Sequence, residues 1–384
     1  MKSKGIRIGI DASNLNMGGG RSHIINILEN YNPNNHNIEK ITIYGTEDLL
    51  EKLPAYNWLE KKSHSYLNRG LLYRYIWLFF LSKSIFKKDC DILFNPSGLY
   101  IGLFKPYVTM SRNMMLFDKK QLNSQKGLLR IKLWLSRQMN IHSIKRSTGV
   151  IFISEYAKSF ISKELKIEDK DVCKINHGIS DRFRISPQQR VFSNFELKKI
   201  KLLYVSHVYS YKHPWNVVKA VQKLKEQGFN VSLDLVGGGD INDINHLHKV
   251  INESDPLGEY IKYQGNQPYN IIHNYYKNAD IFVYASTCEN MPNILLEAMS
   301  ASLPIACSEA QPMPEFLENA GEYFNAKDVS SIVLAIKNLV LSEQIRIEKG
   351  SKSFELSLKY NWEKTSFKTF EFIEKVFNSS VINR

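Results

Sequence analysis

Two glutamates, Glu289 and Glu297, stand with seven residues between them in the stretch Asp280 to Pro304. Ionised carboxylates only accept hydrogen bonds, and each can take two hydroxyl donors. Ile281-Phe282-Val283-Tyr284 ahead of them is a short apolar run of β-branched and aromatic residues, which reads as a buried strand. Ser286 to Asn290 is a polar loop, and Pro292-Asn293 leads into the helical pattern Ile294 to Met299. Glu289 therefore falls at the carboxyl end of a strand, and Glu297 in the first turns of the next helix. Open α/β sheets bind ligands at that end of their strands. A helix start adds unpaired N–H groups and roughly half a positive charge, which suits a diphosphate. Two carboxylates tolerate a diphosphate only if they face neutral hydroxyls, which a sugar supplies. A nucleotide-sugar would satisfy every group in the stretch. The plainer alternative is a solvent-facing Glu289 and a capping Glu297.

Other loops that follow apolar runs carry further candidates. Lys201 to Val205 reads as a strand, and its exit loop Ser206 to Pro214 holds His207 and Lys212. Lysine is a point-charge partner for phosphate, whereas the charge of a histidine depends on pH near neutrality. Val231 to Val236 ends in Gly237-Gly238-Gly239-Asp240, where a nucleotide could pass the sheet edge or the chain could simply turn. The strand Ile261 to Gln264 leads to Gly265-Asn266-Gln267-Pro268, whose backbone could meet a base. Near the start, the strand Arg7 to Ile10 is followed by Met17-Gly18-Gly19-Gly20-Arg21-Ser22-His23, which opens a helix. Glycines there allow close approach of an anion, although neither the P-loop nor the dinucleotide spacing is present. The strands Ile92 to Pro96 and Tyr107 to Ser111 run out at Ser97-Gly98 and at Arg112-Asn113.

The run Glu289-Asn290-Met291-Pro292-Asn293-Ile294-Leu295-Leu296-Glu297-Ala298-Met299, with Leu303-Pro304 and the later Pro314-Glu315, resembles the E-x7-E signature of retaining, family 4 type glycosyltransferases of the bacterial surface-polysaccharide kind. The resemblance covers the second domain nearly end to end and the first loosely. It implies the GT-B fold: two Rossmann-like doubly wound α/β domains facing a deep interdomain cleft. It also implies transfer of a sugar from a nucleoside diphosphate-sugar with retention at the anomeric carbon. Carried over residue by residue, Glu297 should bind the ribose hydroxyls, and Glu289 the sugar or charge near the anomeric centre. Asn290, Met291, Pro292, Asn293 and Ile294 should line the donor. Lys212 keeps the spacing of the family's phosphate-binding lysine, while Ser206-His207 replaces the usual Gly-Arg. Gly18, Gly19 and Gly20 should face the donor diphosphate and the acceptor, and Gly237 and Gly238 the nucleotide. Arg112 and Asn113 occupy a region where many relatives carry a histidine and are the acceptor-side candidates. Val150 to Lys158 and Lys174 to Ile179 look like the start of the family's second domain. That places the domains at 1–148 and 149–365, with a final helix at about 366–384 returning to the first. His177, before a glycine turn, reads as structural.

Length and composition fit this picture. A chain of 384 residues, 43% hydrophobic, can build two full cores. Strand and helix patterns alternate throughout, as parallel sheets require. Four scattered cysteines, Cys90, Cys173, Cys288 and Cys307, suit reduced cytoplasmic thiols. Neither a signal peptide nor a membrane span is read, so a cytoplasmic location is expected. No D-x-D triplet closes a strand, and no metal or other cofactor is expected. Residues 1–148 hold 23 Lys+Arg against 10 Asp+Glu, which accounts for the whole net charge of +13. Within that part, residues 66–88 and 126–146 interleave basic with aromatic and aliphatic residues. Such helices suit the face of an anionic bilayer, or they pack on the sheet and solvate their lysines. A lipid-linked or glycan acceptor at the inner membrane face follows as the expected partner, with surface polysaccharide or lipopolysaccharide as the product. The competing readings are a non-catalytic sugar-binding or scaffold relative and, with no recognised module, a nucleic-acid-binding protein.

Overall fold

The computed structural model describes residues 5–15, 18–124, 127–167, 170–190 and 199–382. Met17 and Lys126, named above, lie outside them. The chain divides into two compact units, one formed by residues 1–178 with 360–384, the other by 179–359.

The first unit is a seven-stranded parallel sheet: β1 (Ile6–Asp11), β2 (Ile38–Tyr44), β3 (Leu59–Lys62), β4 (Ile92–Asn95), β5 (Tyr107–Ser111), β6 (Gly149–Phe152) and β7 (Asp171–Lys174), in the order β3-β2-β1-β4-β5-β6-β7. Central strands buried on both faces show unbroken apolar runs, and every residue of β4 and β5 is buried. The principal helices are α1 (Gly19–Glu29), α2 (Leu71–Ile76), α3 (Ser82–Asp89), α4 (Gly127–Arg146) and α5 (Glu155–Leu165). Residues 66–88 do not form one helix. Arg69 is extended (φ −91°, ψ 173°), Gly70 begins α2, and Trp77–Leu81 is a π-helical turn before α3.

The closing helix, Trp362–Ile382, lies on this unit. Its Phe372 and Val376 crowd Gly149, whereas the next residue, Val150, belongs to a cluster with Leu116, Phe117, Ala157 and Ile161. Adjacent strand residues point to opposite faces, so the closing helix and α5 cover opposite faces of the sheet. Ser366 Oγ donates to the Ile27 carbonyl at 2.6 Å, joining the closing helix to α1.

The domain boundary at 148/149 is corrected by this sheet. Gly149–Phe152 pairs in register with Val108–Ser111, and Asp171–Lys174 with Gly149–Phe152. The segments that look like the start of a second domain are therefore the last two strands of the first. The crossings fall after Gly178 and before Tyr360. A Cβ on Gly178 would stand 2.3 Å from the Trp362 nitrogen, so the two crossings run side by side and only glycine fits.

The second unit is a six-stranded parallel sheet of β8 (Ile200–Val205), β9 (Val231–Val236), β10 (Ile261–Tyr263), β11 (Ile281–Tyr284), β12 (Ile305–Ser308) and β13 (Gly321–Phe324), ordered β10-β9-β8-β11-β12-β13. Its helices include α6 (Pro214–Glu226), α7 (Ile241–Ser254), α8 (Ile272–Asn278), α9 (Asn293–Ser300), α10 (Val329–Leu341) and α11 (Glu343–Ser357). Ile281 and Val283 pack with Val217, Val221 and Ile336 on one face. Phe282 meets Tyr276 of α8 at 5.6 Å on the other. Buried Arg346 donates to the carbonyls of Leu339 and Val340, satisfying orphan acceptors at the end of α10. Among the described residues no helix is long and apolar enough to cross a membrane.

Candidate functional site

The order of the second sheet creates a switch point. From β8 the chain steps outward to β9 and β10, then returns to place β11 on the other side of β8. Ligands of open α/β sheets bind outside the carboxyl ends at such a point. Lys212 comes from the loop after β8 and Glu289 from the loop after β11, and the two meet there, Lys212 Nζ donating to Glu289 Oε1. The pair is almost buried, at 9% and 14% side-chain exposure. The Tyr284 hydroxyl, at the end of β11, donates to the same carboxylate oxygen at 2.5 Å. Burial first, then Glu289, pushes that phenol well above its ordinary range, so it remains a donor. The Lys212 ammonium also lies 5.3 Å from the Tyr211 ring centre and 5.7 Å from that of Tyr284.

Hydrogen bonds from Thr287 and His213 hold the two loops together, and one from Tyr204 fixes the Lys212 loop to its own strand. Thr287 N and Oγ1 donate to the Tyr211 carbonyl at 2.9 and 3.1 Å. His213, at φ 50°, sets a ring nitrogen 3.1 Å from Thr287 Oγ1 before Pro214 starts α6. The Tyr204 hydroxyl donates to the Lys212 carbonyl at 2.5 Å.

Glu297 lies in the second turn of α9 and is buried. Its two oxygens accept from different tyrosines, Oε2 from Tyr276 at 3.0 Å and Oε1 from Tyr269 at 3.2 Å. Burial raises this carboxyl to about 7 and outweighs the two hydroxyls and the Arg182 charge, which pull it down. The Arg182 guanidinium sits 5.4 Å over the Tyr269 ring. Pro292 precedes α9 and no side chain caps its start. Asn290 and Met291 are buried; Asn293 and Ile294 are partly exposed.

Gly237, at φ 138°, lies so close to the neighbouring loop that a Cβ would stand 1.9 Å from the Ser206 carbonyl oxygen. Gly238 accepts from Val208 N at 2.8 Å. These glycines let the loops after β8 and β9 touch. His207 is exposed and its ring lies 5.8 Å from that of Tyr209.

The remaining candidates gather at the carboxyl end of the first sheet. Asp11, the last residue of β1, is buried and accepts from Asn95 Nδ2 (2.9 Å) and Ser13 N (3.1 Å). Burial raises its carboxyl. Gly18 (φ 69°), Gly19 and Gly20 begin α1, with Arg112 against Gly20. Asn113 Oδ1 instead accepts from Met115 N at 3.1 Å, capping a short turn. The His23 ring centre lies 4.8 Å from that of His177, the two planes tilted by 40°, and both rings lie against Trp362.

Sequence reasoning missed Tyr269, Tyr276, Tyr284, Arg182, Asp11 and His23. A tyrosine at the end of an apolar strand was the one available signal, at Tyr284.

Residues 186–353, within the second unit, match the family model described as "Glycosyl transferases group 1". Amylovoran biosynthesis glycosyltransferase AmsK of Erwinia amylovora is 29% identical over 150 residues, 38% of this chain and 36% of that protein. The chain spans about a third to a half of the length of such curated relatives. Sucrose-phosphate synthase of Thermosynechococcus elongatus superposes with a TM-score of 0.76 at 14% identity, covering 97% of this chain and 100% of that one. HepE of Anabaena, solved with UDP and glucose, gives 0.68 at 14% identity over 95% and 98% of the two chains. With its second unit matching the group 1 model, the chain has the fold of the GT-B glycosyltransferases, two parallel-sheet Rossmann-like domains.

Proposed function

We propose that the protein is a retaining glycosyltransferase of the family 4 type. It moves a sugar from a nucleoside diphosphate-sugar to a glycan or lipid-linked acceptor in cell-surface polysaccharide or lipopolysaccharide synthesis, without a metal or other cofactor. The observation that carries this reading is the meeting of Lys212 and Glu289 across the switch point, with buried Glu297 on the next helix. Glu297 accepts from the ribose hydroxyls. The uncapped start of α9 and Lys212 take the diphosphate, and Glu289, released from the ammonium, takes a sugar hydroxyl. As the glycosidic bond breaks, negative charge grows on the departing phosphate. Preorganised donors facing that charge supply most of the catalysis. Attack from the donor face, with the leaving phosphate oxygen receiving the acceptor proton, keeps the anomeric configuration.

The acceptor side of this reading rests on the first unit. Both α2 and α4 follow strands of the first sheet; the first turns expose Leu71 (51%), Leu72 (69%) and Leu128 (85%), and α4 further exposes Trp134 (52%) two turns on. Arg69, Arg130 and Lys132 are interleaved with them. Apolar side chains flanked by cations suit an anionic bilayer face, which supports the reading of a peripheral contact with the inner membrane surface.

The test is a thermal-shift panel of UDP-, GDP-, ADP- and dTDP-sugars with and without EDTA. A ligand at about 100 times its Kd adds about 2.7 kcal/mol. A shift with one nucleotide, insensitive to EDTA and lost in Glu297→Ala, is expected. No shift with any donor would refute the transferase. Binding without turnover would instead favour a scaffold, a reading that the exposed position of His207 favours. Product NMR reports the anomeric configuration.

A further inference from the structure

The loop after β8 carries an aromatic ring at every second position, His207, Tyr209 and Tyr211. Its backbone leaves the strand still extended. Val208 N donates to the Gly238 carbonyl at 2.8 Å, Val208 pairs with Gly239 in a parallel bridge, and Tyr209 stands at φ −133° and ψ 155°. Val208 is buried in the core that holds Val217 and Val221. Neighbouring residues of an extended chain point to opposite sides, so His207 and Tyr209 share the side turned away from that core. A short turn, Ser210–Lys212, then brings Tyr211 alongside.

The three rings form one ladder. The Tyr211 and Tyr209 ring centres lie 5.7 Å apart with planes at 18°, and those of Tyr209 and His207 lie 5.8 Å apart at 37°. One end of the ladder meets the Lys212 ammonium, 5.3 Å from the Tyr211 ring centre. The other end is open, with His207 exposed and Tyr209 38% exposed. Thr287 holds Tyr211 by its carbonyl, so the ladder is set before any ligand arrives. The Tyr211 phenol is pushed above its ordinary range by burial and then by Glu289, and it stays an uncharged hydroxyl.

Core packing does not account for this arrangement, because two of the three rings remain in solvent. A phosphate does not account for it either, since phenols carry no charge and an aromatic face is negative. A pyranose fits. One of its faces presents C–H bonds whose hydrogens are weakly positive and prefer the negative face of a ring. Its hydroxyls stay at the rim, where phenol and imidazole exchange hydrogen bonds with them. Ser210, exposed between the two tyrosines, adds a further hydroxyl.

We propose that His207, Tyr209 and Tyr211 form a sugar-stacking subsite on the second unit, beginning at Lys212. The inference rests on the transferase reading for the source of its sugar. The ring is that of the sugar being transferred or that of the acceptor, since both present the same kind of face. On this account His207 does not replace the cation that the resemblance expects at its position; it ends the ladder.

The test is saturation-transfer NMR on the full chain with the methyl glycosides of glucose, galactose, mannose and N-acetylglucosamine, alone and with UDP, GDP and their sugars. Wild type, Tyr209→Ala and Tyr209→Phe are compared, each shown to be folded by circular dichroism. At least one glycoside should bind wild type with the ring protons of one face saturated. Its affinity should fall about fivefold or more in Tyr209→Ala and recover in Tyr209→Phe, which keeps the ring. A glycoside displaced by a nucleotide-sugar but not by the nucleotide identifies the transferred sugar, and one that binds alongside the nucleotide-sugar identifies the acceptor's. No glycoside bound by wild type, equal binding by Tyr209→Ala, or displacement by the nucleotide alone overturns the subsite. The two readings stay separable. Nucleotide-sugar binding with no effect of Tyr209→Ala on glycosides refutes the subsite alone, whereas Tyr209-dependent glycoside binding with no nucleotide bound refutes the transferase alone.

Discussion

Replacing Glu297 by glutamine should stabilise the ligand-free protein while weakening its hold on nucleotide. The carboxyl stands at about 7 against an ordinary 4.5 because burial outweighs Tyr276, Tyr269 and Arg182. That gap corresponds to about 3 kcal/mol. The sign follows from proton counting. Between 4.5 and 7 the folded chain keeps a proton that the unfolded chain has released, so stability falls as pH rises through this window. Above 7 the full cost is present, and below 4.5 none of it is. Glutamine does not titrate. The stability of Glu297→Gln relative to wild type should therefore rise by about 2 to 3 kcal/mol between pH 5 and pH 8. For a unit of this size that is roughly 5–10 °C in the melting of the second unit. Ribose hydroxyls donate to the ionised form, so wild type should bind nucleotide more tightly at pH 8 than at pH 6. The variant should lose about tenfold or more at pH 8, the worth of a hydrogen bond to a charged group. Melting curves at both pH values and a nucleotide titration decide it. A stability difference that does not change with pH would refute the account of Glu297.

Other perturbations have equally definite outcomes. Lys212→Met should destabilise the second unit by about 3 kcal/mol or more by leaving a buried carboxylate unpaired, and Glu289→Gln in the same chain should restore most of it; urea unfolding of the double-mutant cycle measures the coupling. Gly237→Ala should cost more than about 2 kcal/mol, because its φ of 138° and its 1.9 Å approach to the Ser206 carbonyl exclude a Cβ; chemical denaturation reports it. Leu128→Ser with Trp134→Ser should leave stability within about 0.5 kcal/mol per exposed site while reducing sedimentation with phosphatidylglycerol vesicles. Equal co-sedimentation would remove the membrane contact.

Much of the site was legible because buried parallel strands are written as unbroken apolar runs. Ile281–Tyr284 and Lys201–Val205 announced themselves, and the loops leaving them necessarily held Glu289 and Lys212. The resemblance then assigned partners to residues 77 positions apart, which the fold joins. The tyrosines around Glu297 were not legible. Tyr269 and Tyr276 reach it from another strand–helix connection, and nothing in their local spacing marks their hydroxyls. The boundary was misplaced for a different reason. Gly149–Phe152 reads plainly as a strand, but local pattern does not say which sheet it joins. Its neighbour β7, half-exposed Asp-Val-Cys-Lys, has the polar look of a loop. The edge strand Leu59–Lys62 was invisible for the same reason, and Ile305–Ser308 and Gly321–Phe324 are too short to show a period.

The side-by-side crossings at Gly178 and Tyr360 impose an order on the birth of the molecule. The 181 residues of the second unit emerge from the ribosome between the two portions of the first. At about 5–20 residues per second this is an interval of roughly 10–40 s. Throughout it, the first seven strands are complete while Phe370, Phe372, Ile373 and Val376, all buried in the finished unit, have yet to be made. The nested unit can finish folding first, and its older host waits with an apolar face uncovered. A nascent chain halted before residue 360 should accordingly carry a folded interior module on an unfinished, chaperone-bound frame, and adding the last helix should release it.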